Sequence, residues 1–232
     1  MATKTRTQTE AGKISKEAPD FNPLEKIQFK YESNKKVINA LLIGIIAGVV
    51  GFFGYQKMYK EPRELKAAND ISFAQNYFAQ DSLDKALNGD GQHKGFLKVM
   101  KQYSGTKTAN LCNYYVGVCY LKTGDTKNAI KYLKDFDAKG TMVEYAAYGA
   151  LGDAYMDENK VKDGIDYYNK AAADKENNLL TPLYLYRAAE AYVLNKEPQK
   201  AIENYKRIRD EYPQSMQARD MDKALAKLGI LD

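Results

Sequence analysis

Three segments of this chain repeat one another, and that periodicity restricts the possible folds more than any other feature. They are NLCNYYVGVCYLKTGDTKNAIKYLKDF (110–136), EYAAYGALGDAYMDENKVKDGIDYYNKAA (144–172) and PLYLYRAAEAYVLNKEPQKAIENYKRIRDEYP (182–213). Each places a small residue, a Tyr three positions on, a second small residue nine further and a bulky residue four beyond that. The sets are Gly117, Tyr120, Ala129 and Leu133; Gly152, Tyr155, Gly164 and Tyr168; and Ala189, Tyr192, Ala201 and Tyr205. Successive sets lie 35 and then 37 residues apart.

The offsets have a mechanical meaning. No stretch after Pro62 alternates as a strand would, so the unit reads as two antiparallel helices. The first small residue lets the helices approach, and the Tyr after it fills the space alongside. The second small residue sits where the return helix crosses its partner, and the bulky residue is expected to pack onto the next pair. One such pair cannot bury its apolar stripe alone, so pairs stack.

A degenerate fourth pair precedes the three. Residues 65–86 carry Ala74, Tyr77 and Ala86 at the expected offsets, after which LNGDGQHKG interrupts the second helix. That loop lacks the spaced carboxylates of a calcium loop and the GK[ST] ending of a phosphate loop, so it reads as an insertion. Residues 214–229 read as an amphipathic helix with Met221, Leu225 and Leu228 on one side, capping the stack.

On these residues the chain resembles the tetratricopeptide repeat (TPR) family, a helix-turn-helix unit of 34 residues. It departs by having no Trp, Gly164 at a position usually Ala, and short insertions between repeats. The resemblance implies an all-α solenoid of three clear repeats, one degenerate N-terminal pair and a capping helix. In such solenoids the first helices line a groove. By helical phase the groove candidates are Leu111, Tyr114, Val118 and Leu121; then Gly149, Asp153 and Met156; then Leu183, Tyr186, Glu190 and Val193. Aromatic and Met side chains there suit an extended peptide or a partner helix.

Ahead of the repeats, Val37–Tyr55 is a run of nineteen residues without a charge, flanked by Lys35, Lys36 and Lys57. As a helix it reaches roughly 28 Å, close to the hydrocarbon thickness of a bilayer. The expected organisation is a tail at 1–36, a transmembrane helix at 37–55 and one domain at 56–232. The first twenty residues read as disordered; Leu24, Ile27 and Tyr31 then suggest a short juxtamembrane helix lying on the headgroups. Aromatics follow the apolar run where a cleavage site would stand, so it reads as an uncleaved signal anchor. Four Lys/Arg flank each side, but the tail is net positive; this favours tail inside and domain outside, with Tyr55 and Tyr59 in the outer interfacial belt. Ala40, Gly44 and Gly48, with Ala47 and Gly51 on a neighbouring stripe, read equally as a packing surface for a homodimer or another helix, or as the ordinary Gly content of membrane spans.

Composition removes several function classes. The net charge is +5. The first 36 residues hold eight of the 35 Lys/Arg and five of the 30 Asp/Glu, leaving 27 against 25 in the remainder. No basic face is implied, so nucleic acid is not an expected partner. With one histidine, His93, a two-histidine metal site is excluded. Cys112 and Cys119 lie on one helix face about 10 Å apart, beyond disulfide reach, and read as small buried residues. No nucleophile elbow, phosphate loop or dinucleotide motif is present. The chain is therefore expected to be no enzyme and to need no cofactor.

The layout of tail, anchor and repeat domain, with KYESNKK, DSLDKALNGDG and NLCNYYVGVCYLKTG, resembles the YfgM-like ancillary subunits of the Sec translocon. That resemblance implies a bacterial inner-membrane protein with a cytosolic N-terminus and a periplasmic domain. Its partners would be translocon subunits, periplasmic chaperones or newly exported chains. Two other readings stand beside it: an envelope or division assembly protein acting through self-association, and a cytosol-facing regulator of reversed topology.

Overall fold

A computed structural model describes residues 23–141 and 143–231. The expected disordered tail falls mostly on residues 1–22, outside the described residues. Two compact units are present, one ending at Gln56 and the other beginning at Lys57.

The first unit is built on α1 (Pro23–Tyr55). This helix takes in both the juxtamembrane residues and the apolar run, with no break at Lys35 or Lys36. The N-terminal helical segment holds an 18-residue window apolar enough to cross a membrane, none of it buried. A π-helical turn, Gln56–Lys60, follows in the chain.

The second unit is an all-helical stack. Its helices are α2 (Glu61–Ala79), α3 (Leu83–Asn88), α4 (Phe96–Gln102), α5 (Lys107–Lys122), α6 (Thr126–Asp135) and α7 (Glu144–Asp157). They continue as α8 (Val161–Ala171), α9 (Leu180–Leu194), α10 (Pro198–Glu211) and α11 (Met221–Lys227). The three repeats are α5–α6, α7–α8 and α9–α10. The degenerate pair is α2 with a second helix split into α3 and α4 by the Gly-rich loop.

That loop is tightly built. Asp90 accepts hydrogen bonds from the Gln92 and His93 backbone and from the Tyr77 hydroxyl. His93 stacks on Phe73 at 3.7 Å and meets Asp90 at 3.0 Å through Nδ1. These contacts hold the Asp90 carboxyl well below the usual carboxylate range, chiefly through His93 and Tyr77.

One turn geometry joins the first and second helices of all four pairs. Asp81, Gly124, Asn159 and Lys196 have φ of +56°, +81°, +59° and +62°. Each stands seven residues after the first small residue of its pair. The backbone hydrogen bonds are the same each time: Ser82 to Tyr77, Asp125 to Tyr120, Lys160 to Tyr155 and Glu197 to Tyr192, with a second bond one step inside each. This is the Schellman arrangement, in which a left-handed residue satisfies the last helical carbonyls. Only Gly124 lacks a Cβ to strain it. Lys196→Gly should therefore stabilise the domain by about 0.5–1 kcal/mol, read as a higher midpoint in urea. Asp81→Gly should gain less, because it loses the ion pair with Lys122.

Within each pair the offsets do what their chemistry suggests. A Cβ at Gly117 would stand 2.6 Å from Leu133, and one at Gly152 would stand 2.4 Å from the Tyr168 ring. Ala129, Ala189 and Ala201 are fully buried. One expectation is incomplete: Leu133 and Tyr168 also pack onto the small residue of their own pair. Leu133 and Tyr168 reach the next pair as well, Leu133 clustering with Ala150, Leu151 and Tyr155, and Tyr168 stacking with Tyr184 at 6.4 Å. The capping segment is also shorter than expected. Residues Gln217–Asp220 form a 3-10 turn, and only Met221–Lys227 is α-helical. Met221 and Leu225 are buried against α9 and α10, with Leu228 packed beside them.

Candidate partner-binding groove

The two rows of helices are spaced differently. The first helices touch in sequence, α5 with α7 and α7 with α9, whereas α6, α8 and α10 make no contact with one another among the described residues. The row α5–α7–α9 is therefore the inner, closely spaced side of the stack, which carries the groove in proteins of this architecture.

The predicted groove residues divide into three kinds. Leu111 and Tyr114 on α5 are half-buried, and Val118 and Leu121 pack toward Leu133, Leu151 and Tyr155. Tyr114 lies 5.8 Å from Phe136, and burial raises its hydroxyl pKa. Gly149 is buried, because Tyr184 lies directly over it; a Cβ there would stand 2.0 Å from the ring. It offers a partner no surface and acts as floor. Met156 covers Gly164, the distance to its Sδ being 2.7 Å from a Cβ built there.

Asp153 is half-exposed and fully engaged. It accepts from the Tyr168 hydroxyl at 2.7 Å and forms an ion pair with Arg187 on α9. The pair side chains are 32% and 37% exposed, so solvent screening reduces what it adds to stability. Its geometric effect is to tie α7 to α9 across the inner row. Burial first, then Asp153, raises the Tyr184 hydroxyl to about 12.

The third set of candidates converges. Tyr186, Glu190 and Val193 line one cavity of about 620 Å³ with Leu194, Tyr205, Ala224, Lys227 and Leu228. Leu183 is half-buried against the core beside it. The Tyr186 hydroxyl donates to Glu190 at 2.8 Å, a bond that raises its pKa to about 12. Val193 and Leu194 are 41% and 67% exposed, apolar surface that a partner could cover. The phase of α9 places Tyr186, Glu190 and Val193, but Lys227 comes from the end of α11 and Leu228 from the residue that caps it. Arg187 was also missed, although it lies 34 residues after Asp153, almost one repeat away.

On α1 the five small residues Ala40, Gly44, Ala47, Gly48 and Gly51 are exposed. A Cβ on Gly44, Gly48 or Gly51 would meet nothing within 4 Å.

Among the described residues, no three His, Cys, Asp or Glu side chains converge as a metal site would require. Cys112 and Cys119 are free thiols, fully buried, and burial pushes both up to about 12. A thiol that stays protonated and covered reacts only when the fold opens. Both should therefore resist Ellman's reagent at neutral pH in the native protein and react at once in denaturant; rapid native labelling would contradict this packing.

Comparison with known proteins agrees with the repeat architecture. Residues 112–139 and 144–215 match models described as tetratricopeptide repeat. No curated protein sequence matches the chain. Among solved structures it is similar to a Podosopora anserina protein described as a kinesin light chain with nearly identical TPR-like repeats. A point variant of that protein aligns with a TM-score of 0.56 at 14% identity, over 73% of this chain and 90% of the other. The unaltered form gives 0.55 at 15%, over 73% and 89%. At that identity the likeness concerns the fold. The second unit is thus a TPR-like solenoid, an architecture suited to protein–protein interaction.

Proposed function

We propose that this protein is a membrane-anchored scaffold whose inner helical row holds a segment of a partner protein. The observation that carries the reading is the cavity at the C-terminal end of that row. There Tyr186, Glu190 and Val193 stand together with α11, offering two aromatic rings, exposed aliphatic surface and one charge of each sign. Such a lining suits an apolar anchor side chain with polar contacts at its rim. In this reading the uncharged run on α1 is the anchor, and the net positive tail favours a cytosolic N-terminus. In a bacterial inner membrane the repeats would then meet translocon subunits, chaperones or newly exported chains. The second role for α1, self-association through Gly44 and Gly48, rests on that stripe being open to a neighbour.

A photo-crosslinker placed at Val193 in native membranes tests the groove. Discrete adducts should form, be identifiable as exported-protein machinery or its clients, and disappear in a Tyr186→Ala background. The same adducts from a probe at Gln199, on the exposed start of α10, would sink the reading. Protease added to intact cells, and again after outer-membrane permeabilisation, tests the orientation: cleavage of the repeats is expected only in the second case.

A further inference from the structure

The outer side of the solenoid carries a second cleft with a different chemistry. Because α6 and α8 do not touch, a gap of about 260 Å³ opens between them, floored by α7. Lys134 from α6, Lys139 from the loop after it and Lys170 from α8 all line this one gap, beside Tyr148 and Tyr167. Among the described residues, Asp137 is the only carboxylate in the lining. Among the described residues, none of the three ammonium groups has a carboxylate within ion-pair distance, in a domain where the two signs are almost balanced.

Two of the three lysines are held over aromatic rings, and Lys139 is exposed on the loop. The Lys170 ammonium sits 4.6 Å from the centre of the Tyr167 ring, and that of Lys134 sits 5.3 Å from Tyr155. Those two rings stack face to face at 5.3 Å, and Tyr148 lies 6.5 Å from Tyr167. Cation–π contact orients these two ammonium groups without neutralising them. Three like charges around one gap repel one another, and that cost is relieved when an anion enters.

We propose that this outer cleft is a docking site for an acidic segment of a protein partner, with carboxylates reaching Lys134, Lys139 and Lys170 and an adjacent aromatic or aliphatic side chain lying against Tyr148 and the edge of Tyr167. Charge complementarity selects this occupant. The size of the gap admits one or two side chains rather than a folded surface, and the tyrosines provide apolar contact that a free inorganic anion would not use. The site is separate from the inner groove, so one chain can hold two partners at once.

The test is fluorescence anisotropy with the full-length protein in non-ionic detergent and a labelled peptide alternating Glu and Tyr. Binding should weaken with added salt, as exposed charge contacts do. It should fall about tenfold in Lys134→Gln/Lys170→Gln, consistent with losing two partly exposed ion pairs. It should be unchanged in Tyr186→Ala, which alters only the inner groove, so failure here and failure of the groove reading are separable. The proposal is overturned if a Gln–Tyr peptide binds equally well, or if Lys98→Gln/Lys223→Gln, far from the cleft, causes the same loss. Displacement of the peptide by inorganic phosphate at comparable concentration would also overturn it, since the cleft would then be a plain anion site.

Discussion

Gly149→Ala should destabilise the repeat domain by about 3 kcal/mol, although helix propensity alone predicts the opposite sign. Replacing Gly by Ala inside a helix ordinarily gains up to about 1 kcal/mol. Here the new Cβ would stand 2.0, 2.1 and 2.2 Å from Cζ, Cε1 and Oη of Tyr184. The ring cannot swing aside freely: Tyr168 stacks near it at 6.4 Å, the Arg187 guanidinium lies 5.8 Å from its centre, and it is buried. Relief requires α7 and α9 to separate, which also strains the Asp153–Arg187 pair. For a domain of this size the loss corresponds to a fall in Tm of roughly 6–12 °C. Trimming the obstacle in Gly149→Ala/Tyr184→Leu should recover part of the loss beyond additivity, the mark of direct contact. A single variant that melts like the wild type would mean that the inner row is looser than this packing requires.

Phe96→Ala should cost about 3–5 kcal/mol, and the damage should stay local. Phe96 is fully buried at the start of α4, where it stacks on Tyr115 at 4.8 Å and meets Phe78 edge-on at 6.3 Å. Aromatic pairs of this kind add about 0.5–1.5 kcal/mol each beyond the area they bury. The core that loses this ring spans Ala67 to Cys119, whereas a separate cluster spans Ile165 to Leu225. Stacked repeats contact only their neighbours, so a defect at one end need not unfold the other. Hydrogen exchange should show α2–α4 opening first while α9 and α10 keep their protection. Uniform loss of protection across all helices would show instead that the two cores fold as one unit.

The groove was legible only in part, and the particular residues show why. Helical phase puts Tyr186, Glu190 and Val193 on one face, and all three line one cavity, because residues at i, i+4 and i+7 share a face whatever surrounds them. It failed to separate lining from packing. Gly149 has the same phase as Tyr186, yet Tyr184 from the next repeat closes over it. Lys227 and Leu228 could not be assigned to the cavity either, since nothing in their own segment says which helix they will face. The outer cleft was invisible for the same reason: Lys134, Lys139 and Lys170 come from two repeats and sit in segments whose charges look balanced.

What the chain determines by itself is everything that depends on local spacing. The 35- and 37-residue offsets specify paired helices, the small residues specify where they approach, and the uncharged run from Val37 specifies one helix long enough for a bilayer. Even the left-handed turn recurs at a fixed distance from the small residue, occupied by Asp, Gly, Asn or Lys, because the backbone geometry of the pair demands it. What only the tertiary structure decided is which residues meet across repeats. Tyr184 over Gly149, Arg187 with Asp153, α11 closing one end of the inner row and three lysines around one gap all depend on how far successive pairs rotate. That rotation is set by side-chain volumes summed over whole interfaces, a quantity that no short stretch of sequence contains.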